Sequence, residues 1–278
     1  MTVAAVSRCL NLLEILAGES EPVELSELAT RLDISPSAAH RLIVTLVDQG
    51  WVIQDEASQH YALSLRMSTL AFRNLDGRNV PDVVQAQLDR LAAETREYCR
   101  LAILEGQDLV WVARSQGAVA GLRYDPDMGQ EIVLHATANG KAWLATLPEE
   151  EALSIVYSRG FKANRELGPN SARTVDELRE RLARTRAQGF GTSVEEAEAG
   201  TAALAVPFRS GPDEDAPVAG TISIAGPLLR LPESRWPELA EALHRAAAEI
   251  GQLWPLRIRQ RNVADFRRAI PISMRASR

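Results

Sequence analysis

SPSAAHRLIVTLVDQG, residues 35–50, decides how the rest of the chain is read. Ser35 can accept a hydrogen bond from the first free N–H groups of a helix, and Pro36 suits the first helical position. Ala39, Leu42, Ile43, Leu46 and Val47 recur three and four apart, which gives one buried stripe. Gly50 can take the left-handed conformation that stops the helix. Outward, at the N-terminal end, stand Ser37, His40 and Arg41, with Thr45 one turn on. Short donors and one arginine on the first turns of a helix suit the major groove of a duplex, whereas an ordinary solvated face alternates Glu and Lys.

Working outward, Val3 to Ala17 reads as a helix with Val3, Val6, Leu10, Leu13 and Ala17 on one face. Leu25 to Leu32 gives a short helix whose Leu25, Leu28, Ala29 and Leu32 face inward. Leu32-Asp33-Ile34-Ser35 is the tight connection to the organising helix. After Gly50 come WVIQ, the polar DEASQ and HYALSL, two short strands joined by a turn. Three helices and a hairpin make a winged helix-turn-helix, the third helix reading the groove and the hairpin forming the wing. The alternative is a winged helix used only for protein contacts. The wing tip, Asp55 to Gln59, carries two acids and no Lys or Arg. Phosphate contacts would then come from hydroxyls, backbone N–H groups and helix N-termini.

A chain of 278 residues has room for two domains and a sizeable core. Its 46% hydrophobic and 24% charged content is that of a globular protein. The net charge of −6 is unevenly spread. Residues 1–66 hold four Arg against nine acids, and residues 67–253 hold 20 basic residues against 27 acids. The tail 254–278 holds seven Arg against one Asp. A DNA partner must therefore be read by local geometry, with some phosphate contact available from the tail. The N-terminus does not read as a secretory signal, and no apolar run is long enough to span a bilayer. Cys9 and Cys99 read as reduced thiols in a cytoplasmic protein. His40, His60, His135 and His244 are scattered, so neither a metal site nor a cofactor is expected.

Leu65, Leu70, Phe72 and Leu75 place an apolar side on a helix leaving the wing, a seam on which two copies can pair. Asp76 to Asn79 breaks it, and Pro81 opens a helix with Val80, Val84, Leu88, Leu91 and Thr95 on one face. From Arg100 the period changes to two. RLAILEG, DLVWVARSQ and AGLRYD read as three strands, and FGTSVEE, TAALAVPFRS and PVAGTISIAGP as three more. Helices are expected at 138–147, from Pro148 through PEEEALSIVYSRG, at 175–188 and at 232–254. A mainly antiparallel sheet with helices on its faces is the architecture of small-molecule sensors of the GAF or PAS kind.

SPSAAHRLIVTLVDQGWV, LHATANGKAWLATLP, RAQGF, EEAEAG before TAALAVPF, and TISIAGP follow in an order and spacing that resembles the IclR family of bacterial transcriptional regulators, over Val3 to Leu253. The resemblance implies an α+β chain: an N-terminal winged helix-turn-helix joined by a linker helix to a GAF-like α/β effector-binding domain. It implies residues 1–66 for DNA binding, 67–79 for the linker and 80–254 for the effector domain, leaving 255–278 as a basic tail. The expected partners are an operator in double-stranded DNA, a small organic acid, and further copies of the chain in a homodimer or homotetramer, with no membrane. Ser35, Ser37, His40, Arg41 and Thr45 would meet DNA. In the family's pocket, helix-start amides hold the carboxylate of a small acid, which here means Ala138 and Asn139. Ser223 matches a pocket hydroxyl, and Leu122, Tyr124 and Ile132 match the apolar wall. Where some relatives that bind small oxo acids carry Asp, Cys and a second Ser, this chain has Ser193, Ala203 and Ala225, which favours a larger or less polar ligand.

Other chemistries fit less well. Gly140-Lys141 lacks the earlier glycine of a phosphate loop, since position 135 is His. Glu195, Glu196 and Glu198 have no nucleophile or base beside them and read as a solvated loop over the pocket. No GxSxG elbow accompanies Ser193 or Ser223. Trp111 and Trp143 read as core, and Arg114 and Arg123 as surface partners of acids. No catalytic residue is expected. The function read is a ligand-responsive regulator on a pseudo-palindromic operator; the rival is a metabolite-binding protein or enzyme whose winged helix serves only in assembly.

Overall fold

The computed structural model describes residues 3–71, 80–161, 163, 165–213 and 215–255. They form two compact units that divide between Gly77 and Arg78. Phe72 and Leu75 of the expected linker helix lie outside the described residues, as does the chain from residue 256.

The first unit comprises α1 (Ala4–Ala17), α2 (Leu25–Arg31), α3 (Pro36–Asp48), β1 (Val52–Gln54) and β2 (Tyr61–Leu63). Leu12, Leu16, Leu28, Ile43, Leu46, Val52 and Tyr61 close around one another as its core. The buried face of α1 is therefore not the expected one: Val3, Val6 and Leu10 are 64%, 55% and 55% exposed. The helix carries two apolar stripes, and Leu12 and Leu16 bring more apolar area to Leu28 and Ile43 than the smaller valines can. α2 ends where Asp33 takes φ 52, and the Ile34 N–H reaches back to the Ala29 carbonyl (3.1 Å). That closure turns the chain within four residues into α3. β1 and β2 pair antiparallel, and Val23 bridges to Tyr61 on the far edge.

The second unit is a five-stranded antiparallel sheet in the order β4-β3-β7-β6-β5. Its strands are β3 (Tyr98–Glu105), β4 (Asp108–Gln116), β5 (Gly191–Val194), β6 (Thr201–Arg209) and β7 (Val218–Pro227). Alternation along the strands fixes two faces. Cys99, Leu101, Leu204, Val206, Phe208, Ile222 and Ile224 point to α4 (Val80–Thr95) and α8 (Trp236–Leu253). The intervening residues point to the opposite face, covered by α5 (Ala138–Leu144), α6 (Glu149–Arg159) and α7 (Val175–Gln188). AGLRYD is not the expected strand but irregular chain. Gly121 sits at φ 80, outside the extended region, and the Tyr124 and Leu122 carbonyls accept from Gln116 and Arg230 side chains instead of a strand. No described helix is long and apolar enough to cross a membrane.

Candidate functional site

α3 presents the first candidate surface. Ser35 is its N-cap, with Oγ accepting from the Ala38 N–H at 3.3 Å. The Ser37 hydroxyl lies 3.2 Å from that of Ser35, so the pair of hydroxyls sits at the helix entrance. Thr45 donates to the Arg41 carbonyl at 2.9 Å, which spends its proton on the helix itself. Ser35, Ser37, His40, Arg41 and Thr45 are all exposed, while Ala39, Ile43 and Leu46 anchor the opposite side. Among the described residues, neither the His40 nor the Arg41 side chain has a hydrogen-bond or ion-pair partner. The wing tip folds on itself through Asp55, whose Oδ1 accepts from the Ser58 N–H and hydroxyl, both at 2.7 Å. That tip offers no cation. Nearby, the Arg66 guanidinium lies over the Trp51 ring at 5.1 Å.

The second candidate site lies between α5 and the sheet. Strand pairing lays two adjacent rows across the floor. Tyr98, Ala225, Ala203 and Ser193 are in register in one, and Arg100, Ser223, Ala205 and Gly191 in the next. From these rows Arg100, Ser193, Ala203, Ser223 and Ala225, with Trp111, Tyr124, Thr137, Ala138 and Asn139, line a cavity of about 30 Å³. Seven of the nine residues expected in the pocket thus come together: Tyr124, Ala138, Asn139, Ser193, Ala203, Ser223 and Ala225. The other two do not line it. Leu122 is 72% exposed, and Ile132 is buried in the cluster around Trp111 and Leu134.

Most of the cavity's polar groups are already engaged. Ser193 Oγ donates to the Ala136 carbonyl at 2.8 Å and accepts from the Ala197 N–H at 3.3 Å. Asn139 Nδ2 donates to Thr221 Oγ1 at 2.9 Å. Thr137 caps α5, accepting from the Gly140 N–H at 3.0 Å, and α5 has only seven residues, too short for a strong end dipole. Ser223 Oγ reaches only the Arg100 carbonyl, at 3.5 Å, and Arg100 itself, missed in the sequence, is the least engaged. It is 7% exposed, its guanidinium lies 3.8 Å from the Trp111 ring centroid and 5.5 Å from that of Tyr98, and among the described residues its Nε and Nη1 have no hydrogen-bond partner. Burial holds this guanidinium below its ordinary value and pushes the Tyr124 phenol up. A cation on a strand face that otherwise reads Tyr, Ala and Leu was the available signal. Arg114, by contrast, pairs with Asp125 at the surface, at 3.4 Å.

Glu196 corrects another expectation. It is not solvated but buried, held by Lys141 of α5 and Arg181 of α7. Burial brings the Lys141 ammonium down to about 8 against the pull of Glu196. Glu198 is exposed and accepts from Tyr124 Oη at 3.4 Å.

His135 is buried, edge-on to Phe161 at 5.1 Å, and among the described residues its Nε2 has no hydrogen-bond partner. Burial first, then Lys141 and Arg181, bring it down to about 4. An unfolded chain takes up this proton near the ordinary value of 6.5, so stability falls as pH drops from there towards 4. A His135→Leu variant should lose about 2–3 kcal/mol less between pH 7 and pH 4 than the parent in urea unfolding. Parallel pH profiles for the two proteins would rule the assignment out.

A winged helix-turn-helix unit followed by a sheet domain with a side-chain-lined internal cavity defines the class of ligand-sensing transcription regulators. Residues 5–56 match the IclR helix-turn-helix domain, and residues 72–252 match the family described as Bacterial transcriptional regulator IclR C-terminal. The chain is 31% identical over 251 residues to the Transcriptional repressor IclR of Escherichia coli (strain K12), covering 89% of each. It is 30% identical over 249 residues to the HTH-type transcriptional regulator KdgR of Dickeya chrysanthemi, covering 90% of this chain and 79% of that one. Its fold is that of an IclR homolog from Microbacterium hydrocarbonoxydans, crystallised with 4-hydroxybenzoate, at TM-score 0.70 and 24% identity over 90% of this chain and 98% of that one. The Thermotoga maritima IclR superimposes at TM-score 0.67, also at 24% identity, over 88% and 96%. The chain belongs to the IclR family of bacterial transcriptional regulators, and it is a regulator rather than an enzyme.

Proposed function

We propose that this regulator acts in the cytoplasm as a homodimer or homotetramer. It binds a pseudo-palindromic operator in double-stranded DNA, and a small organic acid tunes that binding. The proposal assigns residues 1–66 to the operator, 67–79 to the link between units and 80–254 to the acid. The observation that carries the DNA reading is the entrance of α3. Ser37, His40 and Arg41 stand exposed on its first turns beside the Ser35 cap, opposite a face anchored by Ala39, Ile43 and Leu46. A single module of this size makes few contacts, so two half-sites are needed for useful affinity. The acid reading rests on the cavity of the second unit and on its Arg100; the relative crystallised with 4-hydroxybenzoate is a family member holding such a molecule.

Arg41→Ala should weaken operator binding by about 1–3 kcal/mol, read in a gel shift at fixed salt against a fragment from upstream of the protein's own gene. Full-strength binding by the variant would refute the placement of α3 in the groove. The acid should shift operator affinity through a coupling of about 1–3 kcal/mol.

A further inference from the structure

We infer that Arg100 is the group that receives the effector's carboxylate, so the acid points at the β3–β7 side of the cavity and away from the start of α5. This deepens the effector reading above and rests on it. Arg100 reaches the cavity from β3, the second strand of the sheet, opposite Ser223 in the register. It is 7% exposed, stacked on Trp111, and among the described residues two of its nitrogens lack a partner. Nearly every buried donor in a native protein is hydrogen-bonded, and a guanidinium cannot shed its proton to escape burial. Among the described residues no carboxylate forms an ion pair with it, which leaves its positive charge for a ligand to meet. A monocarboxylate supplies that charge and the missing acceptors together.

The same accounting describes the rest of the ligand. Ser193 is fully engaged by backbone groups, and positions 203 and 225 are alanines. An oxo or hydroxy substituent beside the acid therefore finds only the Ser223 hydroxyl, whose one contact is to the Arg100 carbonyl at 3.5 Å, while a hydrocarbon body finds alanine and the Trp111 ring. The volume of about 30 Å³ corresponds to two or three waters. The class selected is a short monocarboxylate with a mainly apolar body, with propionate as the probe.

Titration calorimetry and tryptophan fluorescence on the full chain test this with propionate, pyruvate, succinate and propionamide, alongside gel shifts. Propionate and pyruvate are expected to bind, succinate more weakly, and propionamide not measurably. Arg100→Met should lose about 30-fold or more in propionate affinity. Arg100→Lys, which keeps a charge but not the planar stack, should fall between. The melting temperature of the ligand-free Arg100→Met protein should not drop, since the change removes an unpaired buried charge; this shows that lost binding is not lost folding. Equal propionate affinity in parent and Arg100→Met, or equal binding of propionamide and propionate, overturns the assignment of Arg100 and leaves the effector reading standing. Failure of all four compounds to bind the parent, with operator affinity unmoved, overturns both.

Discussion

Replacing Glu196 by alanine should cost about 3–5 kcal/mol of folding stability, which for a unit of this size lowers the melting temperature by about 6–20 °C. The reason is asymmetry between the partners left behind. Arg181 is 21% exposed at its side chain and can turn to water, but Lys141 is 1% exposed and cannot. Without Glu196 the ammonium must either stay charged in an apolar setting or lose its proton, and either outcome is unfavourable at neutral pH. The sign of the pH dependence follows. Lys141 already titrates in the fold at about 8, against 10.5 as its ordinary value. The unfolded state thus binds more protons between these limits, so stability should rise with pH across that window. In the Glu196→Ala protein the window should open at lower pH, and its deficit relative to the parent should shrink above pH 9. A paired Lys141→Met, Glu196→Leu protein should recover most of the loss, because apolar replacement of a whole buried ion pair is often neutral. Urea unfolding at pH 7 and 9.5 checks all of this. A deficit below about 1 kcal/mol for Glu196→Ala at pH 7 would mean that water reaches the pair.

How much of this was readable in advance depended on how far along the chain each feature's causes lie. The cap on α3 is local: Ser35, Pro36 and the spacing of Ala39, Ile43 and Leu46 specify it within a few residues, and the helix forms as that pattern requires. The sheet floor is also legible, because period two sends Ser223, Ala225 and Ala203 to one side while Ile222, Ile224 and Leu204 go to the other. Family likeness then brought Ser193, Asn139 and Tyr124 to the same cavity. Arg100 was illegible because its meaning depends on Trp111, eleven residues away along a hairpin whose register shifts between Leu101 and Ala102. Glu196 looked like one more acid in EEAEAG; its partner Lys141 is 55 positions distant, and only the fold makes them neighbours. The face of α1 failed for a different reason. Two apolar stripes share that helix, and periodicity alone does not say which one meets Ile43. On α3 the same rule succeeded because a single stripe was on offer.

Gly140→Ala should destabilise the second unit by about 3 kcal/mol, although alanine is the better helix former by up to about 1 kcal/mol. A Cβ on residue 140 would lie 2.6 Å from the Leu134 carbonyl carbon and as close to other backbone atoms of the same residue. Backbone cannot rotate aside as a side chain can, so α5 or the 134–137 segment must move. Gly191 makes the matching contact from the sheet, where a Cβ would meet the Ala142 nitrogen at 2.8 Å. The two glycines, with Ala203 and Ala205 on β6, let α5 lie close against β5 and β6. That distance sets the height of the cavity over Arg100 and Ser223. Gly140→Ala should therefore lose ligand response at temperatures where the operator-binding unit, with its separate core, still binds DNA. Gly191→Ala should behave alike, whereas Gly129→Ala, whose nearest neighbour is a flexible Asp127 carboxylate at 3.6 Å, should change stability by no more than about 0.5 kcal/mol. Melting curves of the three proteins, followed by operator gel shifts with and without propionate, provide the comparison. If Gly140→Ala and Gly129→Ala proved equally stable, α5 would have slack against the sheet, and the small residues beneath it would not be what sizes the cavity.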